Sequence, residues 1–186
     1  MQAAFYGIAR HIGTSANMAA VAAGLVHYCG CSVFTGIPKQ KNSISEEIIL
    51  TDLTDCGCSN DAEEIIEICD LLVLNLSVPN RELEDVYLRH SLVRKNVIFL
   101  FGKYYQNRSN EIRQLAAEYR IDRSRICMIP YNPGFGYAYE THRVSNYIKY
   151  CPFAGNYKDI QFQQQVKRAA NAVLTYGNRK GEIYYG

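Results

Sequence analysis

Residues 71–76 read Leu-Leu-Val-Leu-Asn-Leu, a run interrupted by a single polar side chain. Runs of this length and composition predict a strand that is buried on both faces, as in a parallel sheet. Similar runs recur along the chain, at AAFY (3–6), IILTDL (48–53), VIFLF (97–101) and ICMI (126–129). The sequence therefore predicts several buried strands.

Segments with helical periodicity lie between these runs. Residues 62–69 and 112–119 both place apolar side chains at offsets 0, 3, 4 and 7, which is one face of a helix. Residues 16–28 are apolar nearly all round and predict a more deeply covered helix, and residues 162–173 predict a last amphipathic one. Alternating strands and helices predict the α/β class: a doubly wound, mostly parallel sheet with helices on both faces.

Residues 32–47 fit this pattern poorly. They begin with SVFTGI, which reads as a strand, but the residues that follow barely suffice for a helical crossover to a parallel neighbour. We therefore expect irregular structure or a short antiparallel edge strand in this segment.

The composition is that of a globular protein, since 48% of the 186 residues are hydrophobic and 20% are charged. This length suits one domain with its own core. No run approaches the ~20 apolar residues of a membrane span, and the first residues lack the order of a signal peptide. We therefore expect a single soluble domain over residues 1–186, without a membrane span and in the cytoplasm.

The turn after the first strand, Gly-Ile-Ala-Arg-His-Ile-Gly-Thr-Ser, contains part of a phosphate-binding loop. Such a loop uses glycines to curl its amides around phosphate oxygens, a lysine for the phosphate charge and a hydroxyl for Mg²⁺. Gly13 and Ser15 stand where the last glycine and the hydroxyl belong, and Thr14 stands in place of the lysine. The alternative is that Thr14 or Ser15 simply caps the helix, with Gly13 making the turn. Arg10 and His11 supply positive charge to this loop or are solvated.

Asp52 stands near the end of the run IILTDL. A carboxylate at the carboxyl edge of a parallel sheet, beside the first loop, is placed to reach the water shell of a nucleotide-bound Mg²⁺. Asp55 is the substitute if the strand ends later. The plainer interpretation is an aspartate that ends a strand in a turn.

With these two motifs in this order, the chain resembles the MinD/ParA group of P-loop ATPases, and more closely the atypical, TadZ-like members. The most distinctive matching segment is Ile-Pro-Tyr-Asn at 129–132, followed by an alanine-containing helix and a glycine-like turn at His142-Arg143. The other matching stretches are GTSAN (13–17), IILTDLTDCG (48–57), CDLLVLNLSVPNRELEDVY (69–87) and VIFLFGKYY (97–105).

The resemblance implies a shortened P-loop domain that acts as a nucleotide-dependent switch, in which two protomers enclose two ATP molecules and separate on hydrolysis. Members of the group position or partition cargo such as plasmids, the division site, or pilus and secretion machinery. By position, the nucleotide would contact Gly13, Thr14, Ser15, Pro130, Tyr131 and Asn132. Asp52 would be the catalytic carboxylate and would hold Mg²⁺ together with Ser15.

The chain departs from this group in its first loop. Family loops keep glycines just before Gly13, and active members keep two lysines, at the positions of Thr14 and near Ala9. Without them the developing phosphate charge lacks a stabiliser, so we expect a weak or inactive ATPase that binds ATP and Mg²⁺ weakly. It would act as a homodimer with an unknown protein partner in positioning or assembly. The alternative is a nucleotide-free adaptor that keeps only the fold.

Two Cys-Gly-Cys tripeptides raise a third hypothesis, a cysteine-based metal or redox protein. Cys29 and Cys31 follow the first helix, at the amino edge of the predicted sheet, whereas Cys56 and Cys58 follow a strand, at its carboxyl edge. A helix of this length separates the two pairs by roughly 20 Å. We therefore expect no shared metal cluster.

The carboxyl-terminal part of the chain is basic and rich in tyrosine, a composition that suits nonspecific contact with DNA. Its charges are scattered and interrupted by Asp159 and Glu182. This pattern favours a solvated surface over a DNA-binding one.

Overall fold

The computed structural model of the chain describes residues 1–8, 12–37, 47–56, 60–77, 96–104, 108–150 and 156–178. The strands in these ranges are β1 (Gln2–Gly7), β2 (Val33–Thr35), β3 (Ile48–Asp52), β4 (Leu71–Leu76), β5 (Val97–Tyr104) and β6 (Ile126–Pro130). The helices are α1 (Thr14–Cys29), α2 (Asn60–Ile68), α3 (Ser109–Glu118), α4 (Pro133–Glu140), α5 (Val144–Tyr150) and α6 (Tyr157–Gly177). No helix in the described ranges combines the length and the hydropathy that crossing a bilayer requires.

The strands form one sheet in the order β2-β3-β1-β4-β5-β6, and every neighbouring pair of strands is parallel. All five buried runs predicted from the sequence are strands, with bounds that differ by at most three residues. The prediction of an α/β fold built on a parallel sheet is confirmed.

The prediction of a short antiparallel edge strand within residues 32–47 is wrong, and residues 38–46 of this segment lie outside the described residues. Strand β2 pairs in parallel with β3, with Val33 opposite Ile48. Helix α1 returns the chain from the carboxyl edge to the amino edge, so β2 starts at the amino edge and runs with its neighbours. A parallel return to β3 needs no helix here, because β2 spans only about 10 Å and an extended chain covers up to about 3.5 Å per residue.

Apolar clusters cover both faces of the sheet, because successive strand residues point to opposite sides. In β1, Phe5 packs with α1 and α6, whereas Ala4 packs with α2 and α3. Helices α1 and α6 lie side by side on this face, α1 against β1 and β3 and α6 mainly against β6, and the two helices approach closely: a Cβ at Gly24 would lie 2.9 Å from Val166 Cγ1. Cover on two sides explains why α1 is apolar nearly all round.

The direction of the crossovers reverses beside β1. The chain leaves β1 through α1 on one face of the sheet and leaves the neighbouring β3 through α2 on the other face. Connections that part in this way leave a crevice at the carboxyl ends of the strands, where open α/β sheets bind ligands. Helices α4 to α6 return on the face of α1, and α4 forms the far side of this crevice.

Candidate functional site

A cavity of about 480 Å³ opens in this crevice, between the first turn of α1, the ends of β5 and β6, and α4. Six of the seven predicted site residues line it: Gly13, Thr14, Ser15, Pro130, Tyr131 and Asn132. The seventh, Asp52, lies directly behind the lining residue Thr54. The structure therefore brings together two segments that are more than a hundred residues apart in the sequence.

Helix α1 begins at this cavity without a side-chain cap. Gly13 precedes it with a φ of 85°, in the left-handed region, so the expectation that Thr14 or Ser15 caps the helix is wrong. Among the described residues, no side chain caps the first N–H groups of α1, which favours an anion beside them. Thr14 is 2% exposed, and its hydroxyl has no hydrogen-bond partner in the described part of the chain. Arg10 and His11 lie outside the described residues.

Ser15 and Asp52 are connected through Thr54. Ser15 Oγ lies 3.1 Å from Thr54 Oγ1, and the Thr54 backbone N–H and hydroxyl donate to Asp52 Oδ1 at 2.9 and 2.5 Å. Asp52 therefore makes the strand-ending turn of the plainer interpretation, and it also lies next to the first turn of α1. Two hydroxyls and a carboxylate are oxygen donors of the kind that Mg²⁺ takes, so these residues fit that ion chemically. Asp55 lies three residues beyond the end of β3.

Lys103 is a site residue that the sequence analysis did not identify. It has a φ of 51°, at a shift in the pairing of β5 with β6 between Gly102 and Tyr104. Its side chain lies along Gly13, where an added Cβ would be 3.0 Å from Lys103 Cε. A lysine two residues after the run VIFLF was the available signal. The direction of the Lys103 side chain depends on this shift, a β-bulge in β5, and a bulge leaves no periodic pattern in the sequence.

Asn132 lines the cavity, but its side chain serves the fold. Its Oδ1 accepts from the Phe135 N–H at 2.9 Å and caps α4, and its Nδ2 donates to Asp159 Oδ1 at 2.8 Å. The Tyr147 hydroxyl lies 2.9 Å from Asn132 Oδ1 and 3.1 Å from Asp159 Oδ1. This network holds the segment from Pro130 to Asn132 in place, while Tyr131 is half exposed beside it.

Asn17 fixes the first turn of α1 against the sheet. Its Nδ2 donates to Asn75 Oδ1 at 3.0 Å, and both side chains are buried. Gly102 makes room for this contact, since a Cβ there would lie 2.2 Å from Asn17 Nδ2. The uncapped end of α1 is therefore held beside the carboxyl ends of β4 and β5.

The described cysteines of the two Cys-Gly-Cys tripeptides lie at opposite edges of the sheet, as the sequence predicts. Cys29 and Cys31 follow α1 at the amino edge, Cys56 follows β3 at the carboxyl edge, and Cys58 lies outside the described residues. Burial, and then the neighbouring Cys31, raise the pKa of the Cys29 thiol, which disfavours the reactive thiolate. Among the residues that the structure describes, no three His, Cys, Asp or Glu side chains are grouped to hold a metal ion.

One cavity thus combines an uncapped helix, a buried hydroxyl that has no partner among the described residues, a lysine, and two hydroxyls that lead to the Asp52 carboxylate. These groups suit a phosphate-bearing ligand with a divalent cation. The apolar side chains of Ile12 and Phe135 add a surface for an uncharged ring. No protein-family model matches the sequence, and no curated protein matches it significantly.

Proposed function

We propose that the cavity binds a nucleotide, with ATP and Mg²⁺ as the first candidate, and that the protein is a degenerate relative of the MinD/ParA ATPases. The observation that carries this proposal is the Thr14 hydroxyl, which is buried without a described partner at the uncapped end of α1. A buried polar group without a partner costs stability, so a native one calls for an explanation. A bound phosphate oxygen is the partner that we propose.

The lining residues divide into a phosphate end and a base end. At the phosphate end, the first N–H groups of α1 and the Thr14 hydroxyl bind phosphate, and Ser15, Thr54 and Asp52 supply oxygen donors for Mg²⁺. At the base end, Tyr131 is half exposed and offers a ring for stacking. Asn132 acts at this end as a positioning residue, because its side chain is engaged within the fold.

Turnover is slow or absent under this proposal. Thr14 stands where active MinD/ParA proteins have a lysine, and electrostatic stabilisation of the transferred phosphate is typically worth several powers of ten in rate. The protein would then act through association, as a homodimer with a protein partner in a positioning, partitioning or pilus- or secretion-assembly role in the cytoplasm. Sedimentation velocity with and without ATP tests the association step.

Isothermal titration of the full chain with ATP and ADP, with and without Mg²⁺, tests nucleotide binding. We expect Ser15→Ala and Asp52→Ala to weaken the Mg²⁺-dependent part of ATP binding by about tenfold or more. Asp55→Ala is the matched control, because Asp55 lies beyond the end of β3. We expect that variant to bind like the wild type.

The alternatives predict different results. A nucleotide-free adaptor would show no heat of binding, and its melting temperature would not change with millimolar ATP or ADP. A cysteine-based metal protein would carry metal after purification, which elemental analysis detects. The absence of any binding heat would overturn the nucleotide proposal, and bound zinc or iron in a protein that binds no nucleotide would favour the cysteine hypothesis.

A further inference from the structure

Lys103 has a backbone conformation that its position in a strand does not explain. Three described residues other than glycine have a positive φ: Lys103, Arg120 and His142. Arg120 and His142 each lie two residues beyond the end of a helix, where a left-handed residue commonly ends the helix. Lys103 lies in β5, where an L side chain rarely takes a positive φ. Its conformation calls for another cause.

The pairing of β5 with β6 shows how this conformation is used. The register shifts between Gly102 and Tyr104, so Lys103 falls at a bulge. Bulges redirect a side chain and are common next to functional sites, where strained residues also concentrate. Here the redirected side chain lies along Gly13 instead of in a regular strand position.

The direction of Lys103 brings a positive charge to the uncapped end of α1. Its Cε, Cδ and Cγ would lie 3.0, 3.7 and 3.8 Å from a Cβ at Gly13, so most of the side chain runs past this residue. Lys103 also lines the same cavity as Thr14 and Ser15. Among the described lining residues, it is the one with a positive charge.

We infer that Lys103 is the phosphate-binding cation of this cavity, supplied from β5 because Thr14 occupies the usual position of a lysine in the first loop. This inference rests on the proposed function. The ammonium group binds the phosphate that lies at the first turn of α1, together with the N–H groups of that turn and the Thr14 hydroxyl. The bulge in β5 exists to aim it there.

Replacing Lys103 with an uncharged residue of similar length separates the role of its charge in phosphate binding from the role of its stem in packing. Lys103→Met retains an unbranched stem against Gly13, and we expect it to weaken ADP and pyrophosphate binding by about tenfold or more. Lys103→Arg keeps the charge and should bind within a few-fold of the wild type. Lys167→Met is the matched control, since Lys167 is an exposed lysine on α6 that does not line this cavity.

Two further measurements distinguish phosphate binding by Lys103 from a merely structural role of its side chain. Raising the salt concentration should weaken pyrophosphate binding by the wild type more than by Lys103→Met, because the ionic contact is screened. In the wild-type protein, ADP should slow acetylation of Lys103 by an amine-reactive reagent and leave acetylation of Lys167 unchanged. This second measurement needs no variant to fold.

The outcomes distinguish this inference from the proposal on which it rests. If the wild type binds ADP and Lys103→Met binds it equally well, the role of Lys103 is wrong and nucleotide binding stands. Unprotected Lys103 in the ADP complex leads to the same conclusion. If the wild type binds neither ATP, ADP nor pyrophosphate, the proposed function fails and this inference fails with it.

Discussion

At the scale of single residues, Thr14 combines burial with a hydroxyl that no other described residue hydrogen-bonds. Thr14→Val keeps the shape of the side chain and removes the polar group. We expect this variant to raise the free energy of unfolding by about 1 kcal/mol, because a lone buried hydroxyl is penalised in the folded state. The same variant should bind nucleotide more weakly. Urea unfolding without ligand and titration with ATP measure the two effects.

Thr51→Val is the matched control for this prediction. Thr51 is buried to a similar extent, but its hydroxyl donates to the Gly36 carbonyl at 2.7 Å. The same substitution should therefore lower the free energy of unfolding by about 1 kcal/mol. Equal effects of the two substitutions would show that the Thr14 hydroxyl has a partner in the folded protein.

Two constraints disfavour a side chain at Gly13: its positive φ and the nearby side chain of Lys103. Gly30 has the first constraint without the second. The φ of 85° at Gly13 disfavours any L side chain, and an added Cβ would also crowd Lys103 Cε at 3.0 Å. Gly30 has a φ of 68° with open space around it. We expect Gly30→Ala to cost about 1 kcal/mol of unfolding free energy for its backbone alone, and Gly13→Ala to cost more. Thermal unfolding of both variants tests this order, and equal costs would mean that Lys103 does not pack on Gly13.

At the scale of elements, two asparagines each cap a helix, one at the surface and one in the interior. Asn156 caps α6 on the surface, accepting from the Lys158 and Asp159 N–H groups at 3.0 and 3.2 Å. Asn132 caps α4, is buried and also donates to Asp159. Asn156→Ala should cost about 1 kcal/mol, the ordinary value of a cap. Asn132→Ala should cost about 2–3 kcal/mol, because the buried Phe135 N–H and two half-buried side chains lose a hydrogen-bond partner. Chemical denaturation decides between this order and equal costs.

The elements also show what the sequence could and could not predict. Buried runs such as residues 71–76 predict strands well, because a strand covered on both faces must be apolar throughout. The direction of β2 depended on where α1 delivers the chain, which a local pattern does not contain. Lys103 was missed because a bulge aims it. The sequence predicted that Asn132 contacts the ligand, but its side-chain amide is hydrogen-bonded to residues far along the chain.

At the scale of the whole molecule, two helical layers cover the sheet, and Cys127 lies under one of them. It is 1% exposed in β6, in the cluster that α1 and α6 cover. Burial raises the pKa of its thiol to about 12, and the Arg168 charge opposes part of that effect. Exposing this thiol requires the layer to separate from the sheet, so its ionisation reports on the integrity of the fold.

The pH dependence of unfolding follows from this difference in pKa. The Cys127 thiol has a pKa of 9.0 in the unfolded chain and about 12 in the folded protein. Its contribution to the free energy of unfolding is therefore fully present below about pH 9. Between these values it falls by up to about 1.4 kcal/mol per pH unit, because the unfolded state alone gains from losing the proton. The stability gap between the wild type and Cys127→Ala should therefore shrink by roughly 2 kcal/mol between about pH 8 and about pH 10.5 in urea unfolding. Val73→Ala is the matched control, because it removes apolar volume from the same cluster without removing a titrating group. The stability gap between the wild type and Val73→Ala should therefore stay constant with pH. A constant gap for Cys127→Ala as well would mean that the folded thiol ionises as readily as the unfolded one.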